Sequence, residues 1–229
     1  PLQIWLGDAS GRSVFRHQPA KAAALEGHWV TNQPGSGADW AMLAWPDKTL
    51  QTNDWSVSIP DGLSLLATRS LQGQVRGLHE FSAKDQPPAL PLLFYVFRLM
   101  VVIGFWFLLL TAWTLWIWQR GKLTQPAAPG TRRLLLAWVA SLPLGYIAVE
   151  SGWLVREVGR QPWAIYGLLR TTPAASTLPA STVAVTLVAY AVMYSILAVT
   201  FVIFARRIIR QGPDTGPEPV SSSAQLYPG

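Results

Sequence analysis

Three long apolar segments dominate the second half of the chain. Residues 94–118 carry one charged residue, Arg98, and residues 134–157 and 181–205 are apolar over most of their length. A helix crosses a hydrocarbon core with roughly 20 apolar residues, and in lipid the backbone polar groups need an internal hydrogen-bonding partner. Because these segments have that length, the pattern predicts an all-α membrane protein with three transmembrane helices.

Residues 1–93 have a different pattern, polar and broken by the turn signals QPG and PDG. The strong helix formers of KAAALE predict a short helix within residues 19–29. Residues 55–59 alternate in the manner of a brief strand. We therefore expect an extramembrane segment before the first span. The tail from Gly212 is rich in Pro, Ser and Gly, and its composition predicts disorder.

Charge in the connecting loops predicts the orientation. The loop between the first two spans carries four basic residues and no acidic one, and the last span runs into three arginines. Basic loops stay on the cytoplasmic side, so the remaining segments face outward. The predicted order is an outer segment 1–93, span 94–118, cytoplasmic loop 119–133, span 134–157, outer loop 158–180, span 181–205 and cytoplasmic tail 206–229.

Composition narrows the possible functions. Hydrophobic residues make up 50% of the chain and charged residues only 13%, against about a quarter in soluble domains. The absence of cysteine excludes disulfides, thiolate metal ligands and iron–sulfur clusters from this chain. The net charge of +6 is explained by membrane topology, so no nucleic-acid partner is predicted.

The end of the second span contains acidic residues that need an explanation. Glu150, Trp153 and Glu157 are spaced i, i+3, i+7 and share one helix face. Acids near a membrane are costly unless they pair, reach water or bind a ligand. Glu157 could therefore pair with Arg156 or Arg160 in the headgroup region, or it could belong to a functional site.

Arg98 and Met100 lie near the start of the first span. Arg98 could extend to the interface or face a haem propionate. Met100 could pack in a core or supply a thioether ligand to haem iron. Met100 and Glu157 are expected at similar depth near the outer face, as a cofactor held between two helices would require.

Charged residues and histidines of the outer segment are further candidates. Lys21 and Glu26 are about 500° of helical rotation apart, so they do not lie on the same face of the helix. They could simply be solvated residues on a helix surface. His17 and His28 are weak evidence for a metal site, and no histidine lies inside a predicted span.

Four motifs together resemble a known family. GDASG, KAAALEGHW, FYVFRLM and ESGWLVREVGRQPWAIYGLLRT occur in this order within residues 7–171. They resemble subunit I of cytochrome bd-type quinol oxidases, and the order and spacing agree along residues 1–205. The short segment between KAAALE and FRLM is similar to that of the short-loop, cyanide-insensitive branch.

The resemblance implies haem-binding roles for five residues. Met100 would be an axial ligand of the low-spin b haem, with Arg98 close to that haem. Glu157 would ligate the high-spin b haem, Trp153 would lie between haems, and Arg160 would contact propionates. Two haems b are implied, with a third haem, d or b, in the full-length parent.

The resemblance also implies a quinol site and an enzyme. Lys21 and Glu26 would belong to the site of quinol oxidation. The family's histidine ligands lie on upstream helices that this chain lacks, so we expect a C-terminal fragment, inactive alone. The parent would be a multi-pass protein of the bacterial inner membrane that works with subunit II, oxidises quinol, reduces O2 to water and contributes to the proton-motive force.

Two other classes of function fit the residues without the resemblance. One is a non-catalytic three-span anchor or assembly protein that uses GRQPW as an interfacial clamp. The other is a transporter subunit in which Glu150 and Glu157 form a proton relay. Neither predicts b-type haem absorbance in the full-length parent.

Overall fold

The computed structural model describes residues 2–123 and 128–212. The chain divides after Ala175 into two compact units. Among its described residues, the first contains six α-helices and four strands in the order α1 (Leu2–His17), α2 (Pro19–Glu26), β1 (Trp40–Asp47), β2 (Thr52–Ile59), α3 (Gly62–Thr68), α4 (Leu90–Gln119), α5 (Pro129–Arg160), β3 (Trp163–Ile165), β4 (Leu169–Arg170) and α6 (Thr171–Ala174), with a 3-10 helix (Leu78–Glu80) before α4. The second contains α7 (Ala180–Gln211). The tail predicted to be disordered lies almost wholly outside the described residues.

Three helices are long and apolar enough to cross a membrane, which confirms the predicted fold class. They are α4, α5 and α7, with mean hydropathies of 2.3, 1.6 and 2.3. All three begin before the predicted spans, at Leu90, Pro129 and Ala180, and all three end after them. Helix α5 contains Pro143 and continues through it.

The two membrane helices of the first unit pack against each other through apolar and polar contacts. Leu110, Ile117 and Leu134 form a buried cluster between α4 and α5. In the same interface, Trp106 Nε1 donates to Ser141 Oγ at 2.8 Å. Such indole–hydroxyl bonds stabilise helix pairs in lipid, where apolar side chains alone give little preference for protein over acyl chains.

The segment before α4 is folded, and it is more regular than its sequence predicted. The predicted short helix is confirmed as α2 but ends at Glu26, because Gly27 adopts a left-handed conformation (φ +60°) and caps it. The alternating residues 55–59 belong to β2, which pairs antiparallel with β1 in a hairpin. Helix α1 was not predicted.

Helix α2 lies against both membrane helices of the first unit. A buried cluster joins Ala23, Ala24 and Leu25 of α2 to Leu93 of α4 and Val155 of α5. The hairpin adds a second contact, in which Ala41 and Ala44 pack on Phe94. This packing brings the polar side chains of α2 to the ends of α4 and α5.

Candidate functional site

Lys21 and Glu26 are both buried, with exposed fractions of 8% and 7%. The interpretation of these residues as a solvated helix surface is therefore wrong. Both lie against the membrane helices, since Glu26 contacts Arg98 of α4 and Lys21 contacts Gly159 of α5. The two side chains point in different directions from α2, as expected from the helical rotation between positions 21 and 26.

The Glu26 carboxylate is bound at one oxygen by two donors. Its Oε2 accepts a hydrogen bond from Arg98 Nη2 at 2.7 Å and another from Trp40 Nε1 at 3.1 Å. Burial raises the pKa of the Glu26 carboxyl above its usual range, while Arg98 and the Trp40 N–H oppose that shift. The result is a carboxylate held in an apolar environment by one arginine and one indole.

Arg98 is buried and is held by the outer segment. Its guanidinium lies 4.4 Å from the centre of the Phe94 ring, and only 9% of its side chain is exposed. Besides Glu26, its hydrogen-bond acceptors are backbone carbonyls of α2 and β1, those of Leu25, Ala41 and Met42. A single α4 side chain thus ties α2 and the hairpin to the start of the span.

Lys21 packs its aliphatic stem on the glycine of the GRQPW motif. A Cβ added to Gly159 would lie 3.0 Å from Lys21 Cε, so glycine permits the close approach. Burial lowers the pKa of the Lys21 ammonium, Arg156 and Arg160 lower it further, and Glu157 opposes them. Lys21 therefore lies in the electrostatic field of the α5 end that carries Glu157.

Glu157 forms the ion pair that was one of its two predicted alternatives. Arg160 Nη2 donates to its Oε2 at 2.9 Å, and Arg156 Nε lies 3.8 Å from Oε1. The carboxylate is one-third exposed, so it remains within reach of a ligand. Trp153, one turn earlier, is 57% exposed, and Glu150 is exposed as well.

Met100 faces α5 at Gly152, a position without a side chain. Its Sδ lies 3.5 Å from the position that a Cβ on Gly152 would occupy. Because α4 begins at Leu90, Met100 is about three turns into the helix and not within its first two. Glu157 follows Gly152 by five residues, about 7.5 Å along α5. The expectation that Met100 and Glu157 share one depth is therefore wrong by more than a turn.

The histidines of the outer segment bind backbone in the described residues. His28 Nε2 lies 3.2 Å from the Val75 carbonyl, and His17 Nδ1 lies 3.0 Å from that of Ser13. Within residues 2–123 and 128–212, no group of three or more His, Asp or Glu side chains could hold a metal ion. The weak histidine hypothesis thus gains no support from this part of the chain.

Two parts of the site were missed from the sequence. Trp40 binds Glu26 across the hairpin, a contact that depends on pairing of β1 with β2. Asp85 accepts a hydrogen bond from Arg170 at 2.5 Å and so joins the segment before α4 to the strand after α5. Both contacts link residues far apart in sequence, and no local pattern marks them.

Comparison with known proteins finds relatives over most of the chain. The family described as Cytochrome bd terminal oxidase subunit I matches residues 1–213. Cytochrome bd ubiquinol oxidase subunit 1 of Bacillus subtilis is 29% identical over 217 residues, covering 91% of this chain and 45% of the relative. Cytochrome bd-II ubiquinol oxidase subunit 1 of Escherichia coli is 28% identical over 274 residues, covering 92% of this chain and 52% of the relative.

A solved structure is similar over the same length. The bd oxidase from Geobacillus thermodenitrificans aligns with a TM-score of 0.72 and 30% identity, covering 92% of this chain and 46% of that one. The chain thus spans about half the length of the relatives it matches. With a family match over nearly all of its residues, the chain belongs to the cytochrome bd terminal oxidase subunit I family.

Proposed function

We propose that the full-length protein is a quinol:oxygen oxidoreductase, which oxidises quinol at the outer face and reduces O2 to water. The relatives named as ubiquinol oxidases support this activity. The single observation that carries it is the contact between Glu26 of the outer segment and Arg98, two residues before Met100. The carboxylate proposed for the quinol site thereby contacts α4, the membrane helix that also carries the haem-ligand candidate Met100.

The donor groups present fit the proposed haems. Met100 offers a half-buried thioether beside Gly152, where the lack of a Cβ leaves the sulfur unobstructed. Glu157 offers a carboxylate, and Arg160 is a cation suited to a propionate. Bound haem would supply one-electron redox chemistry. Met100 would hold the low-spin haem b, Glu157 the high-spin haem b, and Trp153 would lie between haems.

The chain's own contribution to quinol oxidation would be binding and proton transfer. Lys21, with an ammonium whose pKa is lowered by burial and by Arg156, would donate a hydrogen bond to a quinol oxygen. Glu26 would accept the proton that leaves the quinol hydroxyl, because burial raises the pKa of its carboxyl above its usual range. Arg98 would hold that carboxylate in place before and after the transfer.

The proposed setting is the bacterial inner membrane, with the segment before α4 outside and the α4–α5 connection in the cytoplasm. The basic connection, rich in Arg and Lys, supports this orientation. Subunit II and the lipid bilayer would be the partners. Proton release outside, combined with uptake from the cytoplasm for oxygen reduction, would contribute to the proton-motive force.

The two other classes of function are less well supported. A proton relay through Glu150 and Glu157 would need Glu157 to give up its ion pair with Arg160. A purely structural anchor leaves the burial of Lys21 and Glu26 unexplained. Family membership favours the oxidase over both.

The test uses the purified full-length enzyme, its reduced-minus-oxidised spectrum and its quinol-driven oxygen consumption. We expect b-type absorbance and quinol oxidation in the wild type. Lys21→Ala and Glu26→Gln should lower quinol oxidation while the haem spectrum stays unchanged. A full-length protein without b-type absorbance would refute the oxidase, and loss of haem in either variant would make that residue structural.

A further inference from the structure

A cleft open to solvent separates the residues after α2 from the β1–β2 hairpin. Its volume is about 330 Å³, room for about ten water molecules at about 30 Å³ each. Its lining is mostly polar and includes Glu26, His28, Asp39, Asn53, Ser56 and Ser58. The cleft thus connects a buried carboxylate with outer water.

The other neighbours of Glu26 cannot take a proton from it. Arg98 and Trp40 are donors only, and neither side chain can accept a hydrogen. Within the described ranges, both hydrogen bonds to the Glu26 carboxylate arrive at Oε2. The cleft is therefore the polar path by which a proton can leave Glu26.

The far side of the cleft carries two groups that can receive a proton. His28 Nε2 lies 3.2 Å from the Val75 carbonyl, which only accepts, so Nε2 carries the hydrogen and Nδ1 is the basic nitrogen. Burial lowers the pKa of His28 and favours the neutral ring, although Asp39 opposes the shift. Asp39 itself is exposed, and its Oδ1 accepts the Asp61 N–H at 3.2 Å.

We propose that this cleft is the exit route for the protons of quinol oxidation, with Asp39 as the outer acceptor and His28 as a relay beside it. The inference rests on the proposed quinol oxidation and adds to it the path from Glu26 to the outside. Neither group lies in α2, α4 or α5, which hold the residues proposed to bind quinol and haem.

The transfer balances as follows for each proton. The quinol O–H bond breaks, its proton forms an O–H bond on the Glu26 carboxylate, and one electron leaves the ring for a b-type haem. Glu26 then passes the proton through cleft water to His28 Nδ1, His28 passes it to Asp39, and Asp39 releases it to outer water. Repeating this once completes the conversion of quinol to quinone, and Glu26 is again a carboxylate.

Charged groups lie on both sides of the route. Arg98 of α4 faces Glu26 and opposes the effect of burial, which favours a proton on that carboxyl. Asp39 faces His28, while Asp61 follows at the start of α3. Lys21 points away from the cleft, toward Gly159 of α5. The route therefore leads from a buried carboxyl to a carboxylate exposed to outer water.

The test compares Asp39→Asn with Asp54→Asn in the full-length enzyme. Asp54 is an exposed hairpin aspartate that does not line the cleft. Oxygen consumption is driven either by quinol or by tetramethyl-p-phenylenediamine, which donates electrons without protons. We expect Asp39→Asn to slow only the quinol-driven rate, by about tenfold, less than the roughly 10²–10⁴-fold of a directly acting base because cleft water persists.

Chemical rescue distinguishes proton transfer from a structural role. Because the cleft is open to solvent, added imidazole should restore the quinol-driven rate of Asp39→Asn and leave Asp54→Asn unchanged. His28→Gln should slow the same rate, and it provides a second variant should Asp39→Asn fail to assemble with haem. Quinol-driven rates equal to wild type in both variants, or a loss that imidazole does not restore, would overturn the route.

The same experiment separates this inference from the proposed function. A wild-type enzyme that consumed oxygen with tetramethyl-p-phenylenediamine but not with quinol would refute quinol oxidation itself, and the exit route with it. A wild-type enzyme that oxidised quinol, with silent Asp39 and His28 variants, would refute the route alone.

Discussion

Replacing Arg98 tests whether this arginine anchors the outer segment to the first membrane helix. Arg98→Gln removes the charge and the forked donor and leaves a shorter, neutral polar side chain. The buried Glu26 carboxylate then loses its cationic partner, and the carbonyls of Leu25, Ala41 and Met42 lose donors. We expect α2 and β1 to separate from α4 more often.

The size of the effect follows from the burial of the pair. Only 9% of the Arg98 side chain and 7% of the Glu26 side chain are exposed. Breaking a buried pair by removing one partner costs about 3–5 kcal/mol. Since each 1.4 kcal/mol is tenfold, even the lower figure raises the population of locally opened molecules by roughly 100-fold.

Hydrogen exchange measured by mass spectrometry reports that population directly, because amides in α2 and β1 exchange when the segment opens. We expect exchange in peptides covering Pro19–Glu26 and Trp40–Asp47 to accelerate by roughly 100-fold in Arg98→Gln. The matched control is Arg120→Gln, at the other end of α4, where the arginine lies on the exposed Trp116 ring 3.9 Å away. It should leave both peptides unchanged.

Two results would refute this reasoning. Unchanged exchange in Arg98→Gln together with an altered low-spin haem spectrum would make Arg98 a haem contact with no anchoring role. Full acceleration in a Glu26→Gln/Arg98→Gln double variant would also count against the pair, since removing both charges should spare part of the loss.

Three further predictions concern the proposed haem ligands and the topology. Met100→Leu in the full-length enzyme should abolish the low-spin haem signal. As a change in packing alone it costs under about 1.5 kcal/mol, so an unchanged spectrum would count against the sulfur as a ligand. Met42→Leu is the control. Glu157→Gln should alter the high-spin haem, and an additional Arg160→Gln should not restore it; restored stability with normal spectra would indicate a simple ion pair. A reporter fused after Gln125, which lies outside the described residues, should be active only in the cytoplasm, and periplasmic activity would reverse the orientation.

The membrane helices could be predicted because their signal is local. An apolar run such as residues 94–118, with Arg98 as its one charged residue, is long enough to be recognised as a span. The hairpin was harder, since β1 contains Ala41 and Pro46 and has little alternation. Its pairing with β2 depends on a surface supplied by α4, through the packing of Ala41 and Ala44 on Phe94.

The burial of Lys21 and Glu26 could not be predicted from α2 alone. Their angular separation indicates two different faces, which is the usual arrangement on a solvated helix. Because α2 lies between α4 and α5, both of those faces are covered. The burial of each charged residue thus depends on a contact distant in sequence: Glu26 packs against Arg98, and Lys21 packs against Gly159.

Because Arg98 lies two residues before Met100, the sequence favoured a shared role for both residues at one haem. Helix geometry argues against this, since the two side chains cannot lie on the same face of α4. Residues i and i+2 point about 200° apart around a helix axis. Accordingly, Arg98 faces α2 and the hairpin, whereas the Met100 sulfur faces Gly152 of α5. Neighbours in sequence therefore serve opposite sides of α4. One side holds the outer segment with its buried carboxylate, and the other presents a thioether between two membrane helices. Any coupling between quinol chemistry and the low-spin haem would then pass across the body of α4.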